Sequence, residues 1–202
     1  ENMGIIITIG REFGSGGREL GRRLAEQLNI EYYDKEIISE IAQHTSLSEK
    51  YVTQVLERQP HTLYPIVVGH SFSTFNQYYY LQLQSVFRAQ IKIINDMSEK
   101  SDCVIIGRCA SFILRDKNPY RIFVYADLDS RLKRCRSRSP EGENLTDKQL
   151  KKQILRLDKD RARFYRYFTG KKWGSRENYD ICINTSNIVI KDIVPVLAKM
   201  FK

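Results

Sequence analysis

The chain has 202 residues, 42% of them hydrophobic, enough to bury one substantial core, so a single domain over 1–202 is expected. No apolar run is long enough to span a bilayer, and the first residues lack the basic stretch and cleavage pattern of a secretory leader, so cytoplasmic residence is the default expectation. A net charge of +9 points to an anionic partner without distinguishing a mononucleotide from a polynucleotide or a membrane.

Residues 4–9 (GIIITI) form a short β-branched run that reads as a buried parallel strand. A glycine-rich stretch follows, and from about Gly17 the period becomes helical, with Leu20, Leu24 and Leu28 recurring every fourth residue. Ser46 and Glu49 have the spacing of a capping box. Residues 59–80 are aromatic and polar with no clear period, and read as an irregular excursion over the substrate side or an oligomer contact. Helical patterns cover 81–97, 129–138 and 146–167, the last opened by a Thr146/Gln149 capping box. Strand-like runs recur at Cys103–Ile106, 121–126 and 181–183. Strand alternating with helix predicts α/β architecture, a central parallel sheet flanked by helices.

The four cysteines show no CxxC pairing and read as reduced small hydrophobes; the three histidines have no metal-ligand spacing, which argues against a zinc site. Basic residues crowd two stretches, Arg131 to Arg138 and Arg156 to Lys172, either as solvated faces or as phosphate contacts.

The glycine stretch Gly10-Arg11-Glu12-Phe13-Gly14-Ser15-Gly16-Gly17-Arg18-Glu19 lies between the first strand and first helix, where unpaired backbone N–H groups and the helix dipole favour an anion. It does not satisfy G-x-x-x-x-G-K-[ST], in which lysine bridges phosphates and the hydroxyl helps hold magnesium. With Gly16 as the second glycine, Gly17 falls in the lysine's place and Arg18 in the hydroxyl's. With Gly17 as the second glycine, Arg18 replaces lysine and Glu19 replaces Ser/Thr; this register is preferred, because a guanidinium forks onto phosphate oxygens and a carboxylate is a hard magnesium ligand. Arg11 reaching back to the phosphates is a further possibility, and Arg18 with Glu19 as a mere exposed first-turn pair is another.

The segment ITIGREFGSGGRELGRRLAEQLNIEYYDKEII, followed by CVIIGRCASFIL, RIFVYADLDSRLKRC, DKDRARFY and KKWGSRENYDICINTS, resembles the cytidylate kinase-like family, a branch related to the nucleoside monophosphate kinases. The resemblance implies a P-loop kinase fold with an acceptor-binding helical segment over 35–100 and a mobile helical lid over 136–176. It implies an ATP-dependent phosphotransferase using Mg2+, acting on a nucleoside monophosphate or other small acceptor. Arg11, Gly14, Ser15, Gly16, Gly17, Arg18 and Glu19 would bind ATP and its phosphates, Glu19 also holding the metal. Asp34, after the second strand, would face the acceptor or instead cap the following helix; Arg108, in the Gly-Arg after the strand CVII, would clamp the acceptor or form a salt bridge. Arg131 resembles the first arginine of an E-R-x-x-R helix, and Arg161 and Arg163 resemble lid arginines, so Arg18, Arg108, Arg131, Arg161 and Arg163 are the expected catalytic set. Asp158/Arg161 and Asp160/Arg163 share helix faces at i, i+3, as an ordinary surface ion-pair ladder also would. The chain departs from cytidylate kinases in Cys109, where they have aspartate, and in lacking an arginine soon after Asp34. Two other classes compete: a catalytically weak nucleotide-binding sensor, favoured by the missing lysine and hydroxyl, and a nucleic-acid-binding protein drawn by RLKRCRSR. No membrane partner is expected, and a homo-oligomer is open.

Overall fold

A computed structural model describes residues 4–57, 74–138 and 145–201, with the backbone alone for 57 and 74–80. The expected aromatic excursion at 59–80 falls largely outside the described residues; its end, from Thr74, opens a long helix.

Among the described residues five strands form one parallel sheet: β1 (Ile6–Arg11), β2 (Glu31–Tyr33), β3 (Cys103–Ile106), β4 (Tyr120–Tyr125) and β5 (Ile181–Asn184). Their spatial order is β2-β3-β1-β4-β5, so the amino-terminal strand sits in the middle and is paired on both sides. Its end differs from the sequence expectation. Gly10 and Arg11 continue the ladder opposite Phe123 and Val124, because the partner strand β4 extends far enough to pair with them. Arg11 is therefore a strand residue held by sheet hydrogen bonds, not a loop residue.

The helices are α1 (Gly17–Leu28), α2 (Glu36–Thr45), α3 (Glu49–Glu57), α4 (Thr74–Lys100), α5 (Ala110–Ile113), α6 (Leu128–Ser137), α7 (Asp147–Thr169) and α8 (Ile190–Ala198). Strand alternation divides the core between two faces. Ile7, Ile9, Val104 and Ile106 pack with Leu20 and Leu24 of α1 and with Val194 and Leu197 of α8. Ile6, Cys103 and Ile105 turn the other way, onto Ile37, Ile41, Leu83, Val86 and Ile94 of α2 and α4, and onto Phe164 of α7. Gly21 lets α1 approach the sheet, since a Cβ there would lie 2.5 Å from Ile106 Cδ1. Among the described residues no helix is long and apolar enough to cross a membrane.

Two capping expectations come out differently. Thr146 and Gln149 form the reciprocal capping box that starts α7. Ser46 does not start α3: it ends α2 in a left-handed conformation (φ 55°), and the hydroxyl of Ser48 accepts from the Tyr51 amide instead. The backbone turn that finishes one helix consumed the residue that the pattern assigned to the next.

Candidate active site

The carboxyl ends of β1 and β3 are adjacent and deliver the glycine loop and the Gly107-Arg108 turn to one edge of the sheet, where open α/β sheets bind ligands. The loop runs from Glu12 to Gly16. Gly14 (φ 77°) and Gly16 (φ 85°) take left-handed conformations, and Gly16 stands at the front of α1 with no side chain capping it. The first turn of a twelve-residue helix is thus left without a side-chain cap where Gly16, Gly17 and Arg18 line a cleft, as an anion site requires. The loop's shape is enforced from behind. The Ser15 hydroxyl donates to Glu12 O at 2.9 Å, and the buried Thr185 hydroxyl donates to Ser15 O at 2.6 Å.

Arg131, expected to face the transferring phosphoryl group, lies buried behind the loop. Its Nε donates to Phe13 O at 2.8 Å, Nη1 to Glu12 at 3.2 Å and Nη2 to Asp158. Asp158 Oδ1 in turn accepts from the Phe13 amide at 2.8 Å. One guanidinium therefore joins α6, the loop and the middle of α7. Burial pushes the Glu12 carboxyl above its usual range, with Arg131 opposing that rise. Arg134 holds the loop's other side, donating to Thr185 O and to Thr185 Oγ1 at 3.2 Å.

Two clefts meet at this edge. The first, about 300 Å³, runs along the glycine loop and is lined by Gly14, Gly16, Gly17, Arg18, Arg134 and Arg138 among others. The second, about 70 Å³, is walled by Arg108, Cys109, Phe164, Tyr165, Trp173 and Tyr179. Arg11 and Arg161 line both. Arg161 Nη1 donates to Arg11 O at 3.3 Å, its guanidinium lies 5.5 Å from the Phe13 ring centre, and it pairs with Asp158 at 3.6 Å. Arg163 is exposed and lines neither cleft.

Arg108 follows Gly107 into the second cleft through three consecutive left-handed residues, Gly107 (φ 68°), Arg108 (φ 53°) and Cys109 (φ 56°). Such backbone persists where its surroundings over-determine it. Here the buried Gln90 of α4 donates to Arg108 O at 2.8 Å, and the Gly107 amide donates to Ile9 O at 2.9 Å. Gln90 was missed by the sequence reading, although a signal existed: it interrupts the apolar stripe Leu83, Val86, Ile94, Met97 on one helix face. Thr185 and Glu12 were missed as loop supports because their partners lie far away in sequence.

Asp34 is buried directly after β2 and does not cap α2, which begins beyond Lys35 with no side-chain cap. Its carboxylate takes Arg18 Nε at 2.7 Å and lies 4.0 Å from Arg11. Arg18, at the front of α1 beside the loop cleft, is thus paired with a carboxylate. Glu19, expected as a metal ligand, accepts from Arg23 at 3.0 Å and from Arg138. Its carboxyl is pushed below the usual range by those two bonds, against the opposing effect of burial. With Glu12, Glu19, Asp34 and Asp158 all closed by guanidinium groups or amides, the side chains around the loop, among the described residues, do not fit a protein-bound magnesium ion.

A central parallel sheet with a glycine loop running from its middle strand into the first helix, and a basic helix laid across that loop, defines a P-loop kinase fold. Solved structures share it: an uncharacterized protein from Eubacterium ventriosum (28% identity, TM-score 0.70, 97% of each chain covered) and shikimate kinases from Bacteroides thetaiotaomicron (15%, 0.57, 98% of each chain) and Acinetobacter baumannii (16%, 0.52, 100% of this chain and 94% of that one). The chain belongs to the cytidylate kinase-like family, whose model matches residues 6–187. No curated protein matches it.

Proposed function

We propose that the chain is an ATP-dependent phosphotransferase that moves the γ-phosphoryl group of ATP to a nucleoside monophosphate or another small acceptor bearing a phosphate. The observation that carries this reading is the sharing of Arg11 and Arg161 by two adjoining clefts, one walled by the glycine loop and one by Arg108 and aromatic rings. Phosphoryl transfer asks for an in-line approach of the acceptor oxygen to the γ-phosphorus and positive charge at the point between donor and acceptor, and little covalent help from the protein.

In this reading Gly14, Ser15, Gly16 and Gly17 cradle the donor phosphates through backbone amides. Arg108 holds the acceptor, Arg11 and Arg161 cover the equatorial oxygens of the moving group, and Arg131 holds the loop in shape. ATP enters as its magnesium complex, the metal travelling on the phosphates. The segment 35–100 forms the acceptor side, contributing Leu56 to the cleft and Gln90 to the posture of Arg108; the segment 136–176 is the lid, contributing Arg161 and Trp173. An acceptor phosphate is favoured over an alcohol because, among the described residues, no carboxylate or histidine lines the acceptor cleft to take a hydroxyl proton. A phosphate monoester oxygen is already ionised: it bonds to the γ-phosphorus as the bond to the β,γ-bridging oxygen breaks, and ADP leaves.

The test is 31P NMR of the full chain with ATP, Mg2+ and a panel of nucleoside monophosphates and nucleosides. ADP and a nucleoside diphosphate forming together with at least one monophosphate is the expected result. Tight ATP binding with no product from any member overturns this reading in favour of a nucleotide sensor.

A further inference from the structure

We propose that Arg11, at the end of β1, supplies the phosphate-neutralising charge that a helix-borne lysine supplies in G-x-x-x-x-G-K-[ST], and that Gly17 stands in the lysine's place because the stem of Arg11 crosses it. The inference rests on the donor-phosphate reading of the loop.

Gly16 stands at the front of α1 and Gly17 is its first helical residue, so with Gly16 as the second glycine of the pattern Gly17 falls at the lysine position. A Cβ on Gly17 would sit 2.5 Å from Arg11 Cβ and 3.0 Å from its Cγ. A lysine at 17 and the observed Arg11 therefore exclude one another sterically. Gly107 makes the second accommodation: a Cβ there would collide with Arg11 Nη1. Arg11 thus lies in a trough between two positions without side chains, one at the front of α1 and one at the end of β3. The arginine course and the two glycines form one arrangement.

The charge surroundings agree. Arg11's side chain is 11% exposed, and Arg161 and Arg108 approach it from α7 and from the β3 turn. Asp34, its nearest carboxylate, lies at 4.0 Å and already takes Arg18 at 2.7 Å. Burial first, then the neighbouring Arg161 and Arg108, pull the Arg11 guanidinium well below its ordinary range, with Asp34 opposing. A phosphate in the cleft would bring negative charge to guanidinium groups that approach one another. Arg18 is half exposed and directed to Asp34, which makes it the weaker contender for the same task.

Calorimetric titration of the full chain with inorganic tripolyphosphate tests this, using Arg11→Met, Gly17→Lys, the double variant Arg11→Gly/Gly17→Lys, whose glycine removes both Arg11 atoms that a side chain at 17 would meet, and Arg18→Met. Arg11→Met should weaken binding by about 10- to 100-fold, the range for losing a hydrogen bond to a charged group. Gly17→Lys alone should also weaken binding, because it displaces Arg11, and it keeps the test alive should Arg11→Met fail to fold. The double variant should recover most of the lost affinity, which a merely structural role for Arg11 would not produce. Unchanged affinity in Arg11→Met, a larger loss in Arg18→Met, or no recovery in the double variant overturns the proposal. Tripolyphosphate binding that follows the expected order without any ATP turnover overturns the kinase reading and upholds this one; no binding by the wild-type chain overturns both.

Discussion

Asp158, midway along α7, accepts a hydrogen bond from the Phe13 amide in the glycine loop at 2.8 Å, across 145 residues of sequence. Its other oxygen takes the buried Arg131 guanidinium. A helix laid over the loop is thereby fastened to it by a single carboxylate that serves two donors from different parts of the chain.

Removing that carboxylate leaves Arg131, whose side chain is 5% exposed, with the partly exposed Glu12 as its one charged partner among the described residues. Asp158→Ala should destabilise the fold by about 3 kcal/mol, as the breaking of a buried ion pair does. Urea unfolding followed by circular dichroism reads the loss. A change indistinguishable from that of an exposed acidic residue such as Glu26 would show that the tie holds nothing.

Gly107→Ala places a methyl group against the Arg11 guanidinium at a backbone φ of 68°. The left-handed backbone alone should cost about 1–2 kcal/mol for a residue with a side chain. Tripolyphosphate affinity should fall along with stability, because Arg11 has to leave its trough. A stability loss with unaltered affinity would separate the glycine from the phosphate site.

Asp180, just before β5, accepts from the Arg121 amide at 2.8 Å and from Arg121 Nε and Nη2 at 3.1 and 2.6 Å, fastening the edge strand to β4. These bonds hold its carboxyl below its usual 3.8, with Arg121 the main cause. A folded-state value depressed below the unfolded one means that the stabilisation is present above the unfolded value and is lost as pH falls through the folded value. Asp180→Asn should therefore lower stability at pH 7 by about 1 kcal/mol, the size suited to a well-aligned but partly exposed pair. The gap between variant and wild type should close below pH 3.8, on the acid side of pH-dependent melts.

The cysteines separate by burial. Cys103 and Cys109 are buried and their thiols are pushed up to about 12 by desolvation, whereas Cys182 is exposed. Mass spectrometry after brief iodoacetamide treatment of the native chain should find Cys182 modified and Cys103 and Cys109 untouched, since the thiolate is the reactive form. Early modification at Cys109 would show that the backbone turn carrying Arg108 opens readily.

Much of the fold was legible because four of the five strands described, all but β2 (Glu31–Tyr33), carry a short apolar run. CVII is β3 with the same limits, and the Thr146/Gln149 box opens α7 as its spacing predicts. What the sequence hid was the fate of each charge. Arg131 and Arg161 stand in comparable basic stretches, yet one is buried behind the loop on three partners and the other lines both clefts. Asp34 and Arg18 meet because β2 and α1 emerge at the same edge of the sheet, which no local pattern encodes. The continuation of β1 through Arg11 depends on the length of β4, a strand more than a hundred residues away.

The central claim is that donor phosphates settle at the front of α1 between guanidinium groups contributed by β1 and α7. A crystal structure with a non-hydrolysable ATP analogue tests it most directly. The account predicts the β- and γ-phosphates against the amides of Gly14 to Arg18, with Arg11 and Arg161 both bonded to the γ-phosphate. Phosphates bound elsewhere, or bound at the loop without a bond from Arg11, would contradict it.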